Sequence, residues 1–262
     1  MTRRRSVSAL AMAGLMPLAA CGSSESAPSA STVPSATSVP ATSAAPSTAA
    51  PSAGASGSRR VTAQASVPTT PARPRTGSVI IIGDSLTNQS ENGQKDVTAS
   101  LVKAGWAQNK ICFSGVDGRT IVGTIPGGAP DSVAEANRCR KQVGEPEVWI
   151  VALVTNDLDS SPARLTADMG KLLGTIGAKG NVVWVNAGRR DTAELGTKLD
   201  ANDTVAKVVA ARPHTRLADW YAFLQTQPDQ AAWWVPDGTH MTRQGYAVRN
   251  GFIAAQAQLA TA

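Results

Sequence analysis

Ser85 ends a stretch, VIIIGDS (79–85), in which four β-branched apolar residues run straight into Gly83-Asp84-Ser85. A turn would explain these three residues, all ordinary turn formers. A nucleophile set at the C-terminal edge of a sheet would explain them as well, because α/β proteins build their sites there. A serine hydroxyl attacks only with a base beside it, and the chain offers two histidines. His214 precedes an apolar run and is expected as an exposed loop residue at the opposite rim. His240 lies in DGTH (237–240), three residues after Asp237. A turn at Asp237-Gly238 can fold the carboxylate onto one imidazole nitrogen and leave the other facing Ser85. That arrangement fixes the tautomer and stabilises the imidazolium formed during attack. The competing reading is an Asp237 that only caps a turn. Histidines this far apart, with no Cys-x-x-Cys, give no zinc spacing. No Gly-rich nucleotide loop is present either, so neither metal nor cofactor is expected.

These side chains need a scaffold. Apolar runs occur at 78–83, 110–113, 147–154, 181–187 and 215–220, and they alternate with helical candidates near 93–106, 130–142, 161–176, 195–211 and 242–259. Thr242 is a candidate N-cap for the last helix. Continuous β-branched runs alternating with helices argue for a parallel sheet covered on both faces. The expected fold class is α/β, a three-layer α/β/α sandwich with a mostly parallel five-stranded sheet. The strand ends then share one rim, which gathers Ser85, the segment SGVDGRT (114–120) with Gly115 and Gly118, Asn156-Asp157, and Asp237 with His240.

The order Gly-Asp-Ser-Leu, then glycine, then Asn-Asp, then Asp-x-x-His resembles the SGNH/GDSL hydrolase family across residues 78–259. The segments DWYAFL (219–224) and DGTHMTRQGY (237–246) are similar to one branch, the extracytoplasmic catalytic domains of peptidoglycan O-acetyltransferases and related exported esterases. The resemblance implies a flavodoxin-like fold and a Ser85–His240–Asp237 triad. It also implies oxyanion donors at the Ser85 N–H, the Gly118 N–H and the Asn156 amide, with Gly115 competing for the place of Gly118. One position departs from the family pattern: Val154 stands where Gly-x-Asn-Asp normally begins, and this puts the substrate range in doubt. Asp84 and Asp157 are read as caps or loop fasteners. Arg119, Arg189 and Arg190 are read as solvated residues able to reach an acidic or sugar substrate. Trp233-Trp234 is read as either a sugar-binding rim or core.

The rest of the chain frames where such a site would work. Residues 1–20 combine Arg3, Arg4 and Arg5, an apolar stretch and small residues, the order of an export signal. Leu18-Ala19-Ala20-Cys21 resembles a lipobox, which implies lipidation of Cys21 and an extracytoplasmic, membrane-anchored protein. Residues 21–77 are rich in Ser, Ala, Pro and Thr, with too little to bury, and are expected to form a disordered tether. The hydrolase domain is expected at 78–262. Seven of the 25 Lys and Arg and one of the 19 Asp and Glu precede Ser78, leaving 18 of each in the domain. A neutral domain is a poor nucleic-acid binder. Cys112 and Cys139 are expected to pair outside the cytoplasm, against the alternative of two free thiols. After Ala20 no stretch approaches the 18 or so apolar residues of a membrane span, so hydrolysis is expected ahead of transfer. The expected protein is a monomeric serine esterase for O-acylated carbohydrate or cell-envelope glycan. The alternatives are an O-acyltransferase and a non-catalytic binding lipoprotein.

Overall fold

A computed structural model describes residues 73–91, 97–123, 125–190 and 199–262. The export signal, Cys21 and nearly all of the tether lie outside the described residues. In chain order the elements are β1 (Val79–Gly83), α1 (Ser85–Glu91), α2 (Val97–Lys103), β2 (Ile111–Gly115), α3 (Ser132–Val143) and β3 (Val148–Ala152). There follow α4 (Pro162–Ile176), β4 (Val182–Val185), α5 (Leu199–Ala210), β5 (Thr215–Ala218), α6 (Trp220–Gln225) and α7 (Arg243–Leu259).

Successive residues of a strand face opposite sides of its sheet, and here both sides are covered. Val79 and Ile81 of β1 join a core with Leu101 of α2, Leu224 of α6 and Phe252 of α7. Ile80 and Ile82 join a second core with Ala136 of α3, Met169 of α4 and Val205 of α5. Each fully buried isoleucine contributes about 1.5–3 kcal/mol. Two cores around one sheet make the α/β/α sandwich. The five described strands are all parallel, in the order β2-β1-β3-β4-β5. None of the described helices is long and apolar enough to cross a membrane.

Local chemistry sets the helix starts. The Asp131 side chain accepts from the Ala134 N–H to begin α3, and Ser161 accepts from Arg164 ahead of Pro162 in α4. Thr242 accepts from Gly245 to begin α7, as its sequence position suggests. A disulfide joins Cys112 of β2 to Cys139 of α3, with Cα atoms 5.5 Å apart. It closes a loop with a sequence separation of 27, and on the loop-entropy account contributes roughly 3 kcal/mol.

The folded unit starts slightly earlier than the expected boundary at Ser78. Arg75, assigned to the tether from composition, donates from Nη1 to Glu147 at 2.7 Å and lies over the Trp106 ring at 4.6 Å. Its Nη1 also reaches Thr261, near the C-terminus. Composition marks where apolar residues become scarce, but one arginine can still latch onto a carboxylate and an indole beyond that point.

Candidate active site

Gly83 at the end of β1 is in register with Gly115 of β2 and with Ala152 of β3. Three loops therefore leave the sheet at one level, carrying Ser85, Gly118 and Asn156. Ser85 is the first residue of α1. Asp84 secures it from behind: its Oδ1 accepts from the Leu86 N–H at 3.0 Å, and its carbonyl accepts from Thr87 and Asn88. Burial drives the Asp84 pKa up, opposed chiefly by the charge of Arg249 in α7. The capping role read for Asp84 in the sequence is the role it has in the fold.

The loop before α7 brings the histidine to the serine. His240 Nε2 lies 3.0 Å from Ser85 Oγ, and Nδ1 lies 2.7 Å from Asp237 Oδ2. The other carboxylate oxygen, Oδ1, accepts from the Thr239 and His240 N–H groups, each at 2.8 Å. Asp237 both caps its own turn and reaches the imidazole, so the two sequence readings coexist. Burial alone would raise its pKa, but these hydrogen bonds, led by the one from the His240 ring, outweigh burial and hold the carboxyl below its usual range. It therefore stays ionised through neutral pH. An ionised Asp237 keeps the proton on Nδ1 and leaves Nε2 free to accept from the serine hydroxyl. His214, by contrast, is an exposed residue just before β5, at the opposite edge.

The two candidate glycines have different physical reasons. A Cβ on Gly115 would lie 2.6 Å from the Asn88 backbone nitrogen, so this glycine lets α1 cross the end of β2. Gly118 has a φ of 70°, a conformation that favours glycine. Among the described residues, the Ser85 and Gly118 N–H groups meet no backbone acceptor. The Asn156 amide donates one hydrogen to the Arg119 carbonyl at 3.0 Å, which orients the group and leaves its second hydrogen available.

One expectation is corrected and one open choice is decided. Arg119 is not a solvated surface residue: it is fully buried. Its Nη1 donates to the Gly83 carbonyl at 3.1 Å and to the Ser114 carbonyl at 2.8 Å, and Nη2 donates to the Pro130 carbonyl at 3.3 Å. Nη1 also meets Ser114 Oγ, which donates to Glu135 Oε2 at 2.6 Å. The guanidinium is a strut beneath the serine turn, a role that requires several carbonyls to converge and so leaves no trace in sequence. Glu135 carries no sequence signal for the same reason. Trp233 and Trp234 are both core residues, 3% and 5% exposed, and do not form a sugar-binding rim. Arg190 remains exposed beside the histidine loop, its N–H donating to the Gly238 carbonyl at 2.9 Å, and Arg189 is half-buried.

Val154 explains its own oddity. Its φ is 108°, a region that glycine enters freely and a β-branched residue enters only under strain. The side chain is fully buried in the second core, which offsets part of that cost. Glycine is ordinarily less stable than alanine in a folded position by about 0.5–1 kcal/mol. Here the order is expected to invert, with Val154→Gly more stable than Val154→Ala by about 1 kcal/mol in urea unfolding. If the alanine variant is the more stable by the usual margin, the backbone at 154 is unstrained.

The sequence model of the GDSL-like lipase/acylhydrolase family matches residues 81–248. Among solved structures, the lipase/acylhydrolase from Enterococcus faecalis is similar at 17% identity and a TM-score of 0.53, over 70% of this chain and 95% of that one. TesA is similar at 16% identity and a TM-score of 0.52, over 70% of this chain and 97% of that one. The C-terminal catalytic domain of Streptococcus pneumoniae peptidoglycan O-acetyltransferase A is 14% identical, with a TM-score of 0.49, over 71% of this chain and 94% of that one. At these identities the likeness to the first two is one of fold. No curated protein matches the chain.

Proposed function

Because the chain belongs to the GDSL-like lipase/acylhydrolase family, we propose that it is an exported serine esterase that removes short acyl groups, acetyl foremost, from O-acylated carbohydrate or cell-envelope glycan. The observation that carries this reading is the continuous chain Ser85 Oγ–His240–Asp237, with separations of 3.0 and 2.7 Å. In this mechanism Ser85 Oγ attacks the ester carbonyl while His240 Nε2 takes its proton. Asp237 stabilises the imidazolium. The oxygen of the tetrahedral intermediate meets the Ser85 N–H, the Gly118 N–H and the Asn156 amide, each donor worth about 3–4 kcal/mol of barrier. His240 returns the proton to the leaving alcohol. Water, activated by the same imidazole, then releases the acid and restores Ser85. A lipid on Cys21 would hold this domain at the outer face of the cell membrane.

Hydrolysis is favoured over transfer because the machinery is open to solvent: the side chains of His240 and Asp237 are 27% and 50% exposed. The test is a series of p-nitrophenyl esters of increasing acyl length, followed by the preferred ester with chitooligosaccharide acceptors, the products read by mass spectrometry. Fast turnover of the acetyl ester, with free acid as the main product, is expected. Acylated sugar as the main product at millimolar acceptor would make the protein a transferase, and no turnover of any ester would remove the catalytic reading.

A further inference from the structure

Gly118 and Asn156 reach the rim from strands that are not neighbours. Gly118 follows β2 and Asn156 follows β3, while β1, which carries Ser85, runs between them. Ladder hydrogen bonds therefore do not tie the two loops to each other. Two other contacts do. Asn156 Nδ2 donates to the Arg119 carbonyl, and the Ile121 backbone N–H donates to both carboxylate oxygens of Asp157, at 3.3 and 3.2 Å. Both Asp157 and Ile121 are buried. The Asn156 loop is closed on itself by the Asp157 N–H, which donates to the Val154 carbonyl at 2.8 Å.

Resting on the serine-hydrolase reading above, we infer that Asp157 is a positioning residue, whose ionised carboxylate clasps the Gly118 loop to the Asn156 loop and holds both oxyanion donors in place beside Ser85. The sequence marks Asp157 only as a loop fastener; the structure shows which two loops it fastens.

The clasp sits in a mixed field. Burial is the largest influence and pushes the Asp157 pKa up to about 6, opposed first by the Ile121 N–H. The neighbouring charges of Asp84 and Asp168 raise it further, and Arg164 of α4 lowers it. Asp168 in turn pairs with Lys171 and Arg164, and Asp84 faces Arg249. An ionised carboxylate is about twice as strong an acceptor as a neutral one. Protonation weakens the bond to Ile121 and adds an O–H that needs an acceptor of its own.

Stability and activity respond to this proton with opposite signs. The folded pKa lies above the value of 3.8 for the free carboxyl, so between the two the native state binds more protons than the unfolded chain. The group's contribution to folding is thus greatest in acid and declines as pH rises through about 6. The clasp, and with it hydrolysis, strengthens over the same rise. Loss of activity in acid through Asp157 is therefore not acid unfolding.

Asp157→Asn tests this, because asparagine keeps an acceptor for Ile121 and does not titrate. Two quantities are followed from pH 5 to 8 in the parent and the variant: the Ile121 amide resonance, and kcat and KM for p-nitrophenyl acetate. In the parent the amide should titrate with a midpoint near pH 6, and in the variant it should not. The Ser85–His240 pair is the same in both proteins, so a difference between their acid limbs reports Asp157. The parent should fall more steeply than the variant between pH 6 and 5. At pH 8 the variant should lose kcat severalfold with KM unchanged, the sign of an interaction made in the transition state. Equal acid limbs, or an Ile121 amide that does not titrate in the parent, would overturn the inference. A parent that shows the amide titration but turns over no ester would sink the esterase reading while leaving the clasp standing.

Discussion

Ser85→Ala is expected to reduce kcat for ester hydrolysis by on the order of 10^5-fold or more while leaving the unfolding midpoint nearly unchanged. The two halves of this expectation have separate causes. In the proposed mechanism the hydroxyl is the atom that attacks, and its contact in the fold is His240 Nε2 at 3.0 Å. The turn that presents it is built instead from Asp84 and the backbone of 86–88, none of which depends on the Ser85 side chain. His240→Ala should be about as damaging, and the double variant little worse than either, because groups acting as one unit are not additive. Steady-state kinetics with p-nitrophenyl acetate, alongside urea unfolding of each variant, measures both. Parental rates in Ser85→Ala would show that another group is the nucleophile.

Arg119→Ala should have the largest effect on stability, a loss of about 3–5 kcal/mol. Its guanidinium satisfies the carbonyls at the ends of β1 and β2 and the Pro130 carbonyl, all around a fully buried residue. Removing it takes a donor from each of these carbonyls, leaving Gly83 the Val116 N–H, and leaves Glu135 with one cation fewer nearby; buried polar groups that lose a donor in this way are costly. Arg119→Lys should recover only part of the loss, because a single ammonium cannot reproduce a planar fork that serves several carbonyls. The urea midpoint reads this directly. A change below about 1 kcal/mol in the alanine variant would mean that water or a relaxed backbone replaces the guanidinium, and that the strut is dispensable.

Much of the fold could be read before any coordinates because it depends on near neighbours along the chain. The apolar runs at 78–83 and 147–154 became the strands β1 and β3, and Thr242 caps α7 through a residue three positions on. Asp237 and His240 belong to the same category. They are three residues apart, and the turn that joins them is local, so their pairing needs little beyond Gly238. Two short helices, α1 and α6, leave no separate signal in the sequence, because each starts two residues after a strand ends, at Ser85 after Gly83 and at Trp220 after Ala218, and so merges with the turn or apolar run there.

The sequence by itself determined the layered α/β class, the serine and the histidine–aspartate pair, since each is written in apolar period, turn chemistry and residue scarcity. Tertiary structure decided what rests on residues far apart. It placed β1 between β2 and β3, sent Gly115 to a close contact with α1 and left Gly118 at the rim, buried both Trp233 and Trp234, and turned Arg119 inward. The Arg119 side chain meets its partners 36 and 11 residues away, and Asp157 meets Ile121 across 36. An arginine in a polar loop and an aspartate after an asparagine look the same in sequence whether they face water or carbonyls. The difference is made by the long-range packing that removes water from around them, because only then must every donor find a protein acceptor.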